Sequence, residues 1–144
     1  MARIKIDLPK KFTFTTNIPI RITDINIGGH VGNDTILSII HEARTQFFEF
    51  YGYSELNMAG IGTIMSDVGI EFKNEIFYGD IIKASVTATE FSRVSFDVYY
   101  KIEKTISEGK IIPIVYAKTG IVCFDYTTKK IVPVPDEVKM KFTG

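Results

Sequence analysis

A short segment at residues 23–34, TDINIGGHVGND, concentrates side chains and backbone that can do chemistry. Its glycines let the backbone approach a ligand closely, and Asn26, His30, Asn33 and Asp34 add donors and acceptors. If a helix begins here, its first N–H groups lack partners within the helix and lie at the positive end of the helix dipole. Such a site can bind a phosphate or polarise a carbonyl oxygen, as thioester hydrolysis requires. The same residue types are also common in ordinary strand-to-helix turns.

The residues that follow predict one long amphipathic helix. Apolar side chains recur there at steps of three and four residues, at Ile36, Ile39, Ile40, Ala43, Phe47 and Phe50. The pattern predicts a helix of about 18 residues, roughly 27 Å long. Asn33 or Asp34 can cap its start, and Gly52 suits the left-handed position just after its end. The helix start therefore falls within the polar segment.

Strands are predicted on both sides of this helix. Residues 12–23 form one, with a break or bend at Pro19, and four or more follow beyond residue 60, separated by turns at 107–110 and 127–130. In the second of these, Ser85 and Thr87 alternate with apolar neighbours and are expected on the outer face. One helix cannot cover both faces of such a sheet, so we expect antiparallel strands around a central helix. A second copy of the chain is expected to cover the remaining face.

Composition excludes several classes of protein. The 144 residues predict one domain over 1–144, and 17 basic residues balance 17 acidic ones, so no basic field indicates a nucleic-acid partner. Cys123 alternates like a residue of a buried strand, which favours a core thiol over a nucleophile. Two histidines 11 residues apart predict no metal site. Neither a signal peptide nor a run of about 18 to 20 apolar residues is present, so we expect no membrane span and a cytoplasmic location.

Residues 21–44, RITDINIGGHVGNDTILSIIHEAR, resemble the signature of the hotdog-fold thioesterases. The branch is that of 4-hydroxybenzoyl-CoA thioesterase and related acyl-CoA thioesterases, whose pattern runs approximately R-x-x-D-x-D-x-x-G-H-V-N-N, then E-x-A-R. The resemblance continues through the later strands to VPVPDEV and covers nearly the whole chain. It implies an α+β hotdog fold, a long central helix wrapped by an antiparallel sheet of about five or six strands.

The resemblance also implies an activity, namely hydrolysis of an acyl-CoA or acyl carrier protein thioester without a cofactor. It implies homodimers or homotetramers whose sites lie at the subunit interface. By the same resemblance, backbone N–H groups near Gly32 and Asn33 polarise the thioester carbonyl, and Arg93 meets the CoA phosphates. An exposed turn arginine is an equally good interpretation of Arg93.

The chain departs from the family pattern at the positions of the family's catalytic carboxylates. Asp24 holds the first acidic position of D-x-D, but Asn26 occupies that of the catalytic aspartate, and a neutral amide cannot serve as nucleophile or base. A second branch carries a helical carboxylate instead, and His41 occupies that place. Glu42, next to it, is interpreted as a surface acid or an arginine partner.

Three residues remain as candidates to activate water. His41 can do so as a neutral imidazole, with Asn26 orienting the water or the carbonyl, or His30 or Asp34 takes this role. His41 can equally be a semi-buried structural residue. The alternative function is an acyl-CoA-binding protein that has lost the catalytic carboxylate and does not hydrolyse its ligand, and a hotdog dehydratase is a weaker possibility.

Several large apolar residues can line an acyl pocket. They are Met58, Met65, Phe72, Phe77 and Tyr78, together with the aromatic end of the helix. For each of them, packing in the core is the preferred interpretation.

Overall fold

An antiparallel sheet curls around one long helix. The computed structural model describes residues 3–144. In chain order the elements are β1 (Phe14–Pro19), α1 (Asn33–Phe50), β2 (Gly62–Phe72), β3 (Ile81–Thr89), β4 (Ser95–Thr105), β5 (Ile111–Asp125), β6 (Lys130–Ile131) and α2 (Asp136–Thr143). The main strands are hydrogen-bonded in the order β1-β3-β4-β5-β2, and the short β6 pairs with β5. This is the predicted α+β arrangement. Within the described residues, no helix is long and apolar enough to cross a membrane, and the cytoplasmic location stays a prediction.

The apolar face of α1 packs into the concave side of the sheet. Its buried apolar residues are Ile36, Ile39, Ile40, Ala43, Phe47 and Phe48. Phe50 was predicted to belong to this face, but it is 65% exposed. It lies in the last helical turn beside Phe14, at the start of β1, with the two ring centroids 5.2 Å apart. The sheet ends there, so Phe50 has only one side to pack against.

Both ends of α1 are formed by glycines. The helix begins at Asn33, and Gly32 is its N-cap with no capping side chain, so the prediction that Asn33 or Asp34 caps the helix is wrong. Both residues already belong to the first turn, and the Gly32 carbonyl accepts the first helical bond, from the Ile36 N–H at 3.1 Å. Gly52 has a φ of +85°, which confirms the predicted left-handed residue after the helix.

The outer face of the sheet is partly covered by the chain's own N-terminal segment. Ser85 and Thr87, expected on the outer face, are buried on β3. Thr13 lies over them, with its Oγ1 3.5 Å from Oγ1 of Thr87, and the Lys101 Nζ lies 5.0 Å from the ring centroid of Phe12. At this part of the sheet, intramolecular contacts cover the outer face, and the expected second copy stays a prediction.

The region before α1 contains a shorter strand than predicted. β1 ends at Pro19, where the break was predicted, and a 3-10 turn, Ile22–Asp24, follows it. Ile22, which lies within the predicted strand 12–23, is 66% exposed for this reason.

The C-terminal helix α2 was not predicted. Its eight residues carry only two buried apolar side chains, Val138 and Phe142, which is too short a pattern to identify. Phe142 closes the core against α1, with its ring centroid 5.0 Å from that of Phe47. Cys123 is also fully buried, and burial raises its pKa to about 11. The predicted core thiol is confirmed.

Candidate functional site

Residues 23–34 fold into a tight loop that is organised by Asn26. The Oδ1 of Asn26 accepts the N–H of Gly28 at 2.9 Å and that of His30 at 3.4 Å. The backbone N–H of Asn26 donates to the His30 carbonyl at 3.0 Å. The amide nitrogen Nδ2 faces Gly32, where a Cβ would lie 3.4 Å from it. Asn26 therefore uses its acceptor to form the turn and presents a donor to the helix start.

The start of α1 presents a free backbone donor. Within residues 3–144, the N–H group of Asn33 has no hydrogen-bond acceptor, whereas the antiparallel bridge between Ile25 and Val31 turns the N–H group of Gly32 toward the Asp24 carbonyl. Asp34 lies beside them, and its Oδ1 is 2.9 Å from the position of a Cβ on Gly32. Its carboxylate is exposed and, in the described part of the chain, forms no ion pair. An N–H donor, an amide and a carboxylate thus surround one small space, which glycine leaves open.

His30 borders a groove of about 250 Å³ at the same helix start. The Nδ1 of His30 lies 3.3 Å from the Val31 carbonyl, and its Nε2 lies 4.0 Å from Oε1 of Glu75. Lys73 lines the groove too, paired with Glu71 at 2.9 Å. Lys73 is a cation near the site that the sequence pattern did not indicate. The structure therefore brings together five of the predicted residues, namely Asn26, His30, Gly32, Asn33 and Asp34.

His41 lies apart from this group. It is nine residues beyond Gly32 along α1, which corresponds to about 13 Å. It borders a second groove, of about 270 Å³, between α1 and the strands β2 and β5. In one protomer, His41 and the helix start therefore cannot act on the same carbonyl group.

A polar network runs from His41 into the core. The Nε2 of His41 lies 3.3 Å from Oε2 of Glu55, whose Oε1 accepts from Nε of Arg44 at 2.8 Å. Nη1 of Arg44 donates to the Tyr100 hydroxyl at 3.2 Å, and this hydroxyl lies 2.7 Å from Oγ1 of Thr119. Burial raises the pKa of Tyr100, so its hydroxyl stays protonated and can bridge the two. Glu55 was missed in the sequence, because it lies in a loop without a recognisable motif.

Arg93 lies far from the helix start in the same protomer. It is exposed, in the hairpin between β3 and β4. β3 begins near the helix start, where Val31 donates to the Ile76 carbonyl at 2.9 Å. Its nine residues then run about 30 Å toward the hairpin. The CoA-binding role of Arg93 stays a prediction. It requires that a CoA thioester bound at the helix start of one copy contacts Arg93 of another copy.

Most of the candidate pocket residues are exposed. Core packing is confirmed for Met58, which is fully buried, and is wrong for Met65, Phe72, Phe77 and Tyr78, which are 48%, 51%, 45% and 64% exposed. Met65 and Phe72 belong to β2, an edge strand, and the other two lie in the loop before β3. Met65 borders the groove of His41, and Phe72 borders the groove at the helix start.

Comparison with known proteins identifies related sequences. A sequence profile described as the thioesterase-like superfamily matches residues 20–142. The 1,4-dihydroxy-2-naphthoyl-CoA hydrolase of Microcystis aeruginosa is 28% identical over 123 residues, which are 83% of this chain and 86% of the relative. The protein of the same description from Nostoc punctiforme is 26% identical over 132 residues, which cover 88% and 84% of the two chains.

Solved structures share the fold. A 1,4-dihydroxy-2-naphthoyl-CoA thioesterase from Synechocystis superposes with a TM-score of 0.78 at 21% identity, over 90% of this chain and 95% of that one. A 4-hydroxybenzoyl-CoA thioesterase superposes with a TM-score of 0.81 at 19% identity, over 90% and 97% of the two chains. That structure is of an Asp-to-Asn mutant complexed with 4-hydroxybenzoyl-CoA. These neighbours confirm the predicted hotdog fold.

Proposed function

Because this chain belongs to the thioesterase-like superfamily, we propose that it hydrolyses a CoA thioester. The observation that carries the proposal is the start of α1, where the free N–H group of Asn33 and the open space at Gly32 adjoin the Asp34 carboxylate. Such a donor stabilises the negative charge that develops on a thioester oxygen during attack by water. The relatives from Microcystis and Nostoc are hydrolases of 1,4-dihydroxy-2-naphthoyl-CoA, so aromatic acyl-CoAs are the first substrates to test.

Each residue at the helix start has a proposed role. The N–H group of Asn33 receives the carbonyl oxygen, and Nδ2 of Asn26 adds a second donor from the turn. Water adds to the carbonyl carbon, the C–S bond breaks, and the products are a carboxylic acid and the CoA thiol. His30, Asp34 and His41 are the groups that can take the proton of the water.

The proposed reaction requires a homo-oligomer, because the residues with proposed roles lie in two separate grooves of one protomer. Within residues 3–144, β5 is the only strand that pairs with β2, so the other edge of β2 has no strand beside it. Met65 and Val68, 48% and 41% exposed, lie on this strand beside the groove of His41. We propose that the β2 edges of two copies meet in a homodimer, and that a homotetramer would be a pair of such dimers. The dimer is expected to bring His41 of one copy to a helix start of the other.

The test is release of thiol from aromatic, short-chain and long-chain acyl-CoAs. We expect the wild type to hydrolyse an aromatic acyl-CoA. Loss of the residue that activates water should lower kcat by about 100-fold or more, so comparing His30→Ala, Asp34→Asn and His41→Ala identifies that residue. Asn26→Ala tests the second donor.

Two outcomes would contradict hydrolysis. Acyl-CoA binding in calorimetry without thiol release would favour the non-hydrolytic binding protein, for which the absent carboxylate at Asn26 is the supporting observation. Neither binding nor release on the whole panel would contradict both functions.

A further inference from the structure

We propose that Glu55 positions His41 as a histidine–carboxylate pair in the groove between α1 and β2. This pair then supplies the base that is missing at Asn26, and His41 is the residue that activates water. The inference rests on the proposed hydrolase function and assigns within it a positioning residue that no sequence pattern indicated.

The backbone of Glu55 is held in place from the sheet. Its carbonyl oxygen accepts two hydrogen bonds from Thr63, one from the N–H and one from Oγ1, both at 2.8 Å. Thr63 is itself buried on β2. The loop that carries Glu55 is therefore anchored beside the groove. With the backbone held, only the side-chain torsions of Glu55 remain to be fixed.

The carboxylate of Glu55 divides its two oxygens between two partners. Oε1 is bonded to Nε of Arg44 at 2.8 Å, and Oε2 lies 3.3 Å from Nε2 of His41. The Arg44 side chain is only 10% exposed and is held in turn by Tyr100, which is bonded to Thr119. Because Arg44 cannot move without breaking these buried bonds, it fixes the orientation of Glu55. The second oxygen is thereby directed at the histidine ring.

The other side of the His41 ring is open. Its side chain is 58% exposed, so Nδ1 is accessible to water while Nε2 faces Glu55. The groups that β2 and β5 contribute to this groove are Met65, Val68 and Thr119, none of which titrates. Within the described residues, Glu55 is the carboxylate that forms an ion pair with His41, and it is also paired with Arg44. A carboxylate in this position orients an imidazole and stabilises the positive charge that forms when the ring accepts a proton.

In the proposed reaction, His41 carries one proton from water to the leaving sulfur. Nδ1 of His41 takes a proton from water as the water oxygen bonds to the thioester carbon. When the C–S bond breaks, the imidazolium returns this proton to the sulfur, which leaves as the CoA thiol. Glu55 does not bind substrate and does not itself become protonated.

The kinetic test compares Glu55→Gln with Glu42→Gln. Glutamine at 55 keeps an oxygen for Arg44 but loses the charge that faces His41. Glu42 is adjacent to His41 in sequence, but its carboxylate accepts instead from Nε2 of Gln46 at 2.7 Å, which makes it a matched control. We expect Glu55→Gln to lower kcat roughly tenfold with KM changed less than about twofold. Glu42→Gln should change neither.

NMR of the His41 ring tests the pairing without relying on activity. The chain has two histidines, so His30→Ala assigns the ring signals of His41. We expect Glu55→Gln, but not Glu42→Gln, to change the ¹⁵N chemical shift of Nε2 of His41, because this nitrogen loses the adjacent carboxylate charge. An unchanged Nε2 signal in an active enzyme overturns the role of Glu55 alone. A wild type that releases no thiol from any acyl-CoA overturns the hydrolase function and, with it, the base role of the pair.

Discussion

At the scale of single residues, the chemistry of the helix start depends on which atoms remain free. Asn26 uses Oδ1 to hold the turn, and Asp34 contributes the carboxylate beside Gly32. His41 lies elsewhere, paired with Glu55. The predicted replacement of two acids by Asn26 and His41 is therefore compatible with the proposed catalysis, because the carboxylates of Asp34 and Glu55 lie beside the helix start and beside His41.

Gly32→Ala should lower activity without lowering stability. Its φ of −80° and ψ of 166° suit any residue, so the backbone is not strained. The new methyl group would lie 2.9 Å from Oδ1 of Asp34, a side-chain end that can move, and 3.4 Å from Nδ2 of Asn26. It would fill the space proposed for the thioester oxygen. We expect kcat/KM to fall about tenfold, measured by thiol release, with an unchanged Tm. An unchanged kcat/KM would exclude this space as the carbonyl site.

At the scale of elements, α2 depends on its docking. A helix of eight residues is too short to be stable alone. Val138 and Phe142 bury its apolar side, and the Tyr53 hydroxyl donates to Oε2 of Glu137 at 2.6 Å, which ties α2 to the loop after α1. This hydrogen bond holds the pKa of Glu137 below its ordinary value of 4.5.

Glu137→Gln should therefore destabilise the protein in a pH-dependent way. A carboxylate whose pKa is lowered by folding stabilises the fold above its unfolded pKa, and this contribution disappears as the pH falls through the folded pKa. We expect a lower Tm than that of the wild type at pH 7, and a difference that disappears as the pH falls through the folded pKa of Glu137, below 4.5. Asp136→Asn, which removes the other acid of the same helical turn, controls for the helix dipole. A difference that persists at low pH would attribute the effect to packing instead.

At the scale of the whole molecule, the grooves and the free edge of β2 point to assembly. The helix start and His41 are about 13 Å apart along α1, and Arg93 lies at the far end of β3. One protomer therefore cannot bring all of them to one CoA thioester. The outer face of the sheet is partly covered by the N-terminal segment, which leaves the β2 edge as the proposed surface for a second copy.

Val68→Lys should disrupt the proposed homodimer. A charge on this exposed edge residue, close to its symmetry mate, would oppose pairing of the two strands. Light scattering should show the mass of one 16.3 kDa chain in place of two, and thiol release should fall with it. Met140→Lys, at a 72% exposed position on α2, is the matched control and should leave both unchanged. A Val68→Lys variant with the mass and activity of the wild type would contradict the β2 interface.

Much of the architecture was predictable because it depends on local periodicity. The face of α1 from Ile36 to Phe47 and the alternation of β4 repeat over several turns or residue pairs, so single deviations do not obscure them. Phe50 was mispredicted because its exposure depends on where the sheet ends. The burial of Thr87 on the outer face could not be predicted, because Thr13, a residue distant in the sequence, lies over it.

The sequence by itself determined the fold class, the position of the long helix and the place of its start, because these follow from the spacing of apolar residues and from glycines at the helix ends. It also identified Asn26 and His41 as departures from the family pattern. Only the tertiary structure decided that His41 lies away from the helix start and that Glu55 and Arg44 adjoin it. The physical reason is that these contacts join a helix, a loop and three strands, and the packing of the core, rather than any local pattern, brings them together.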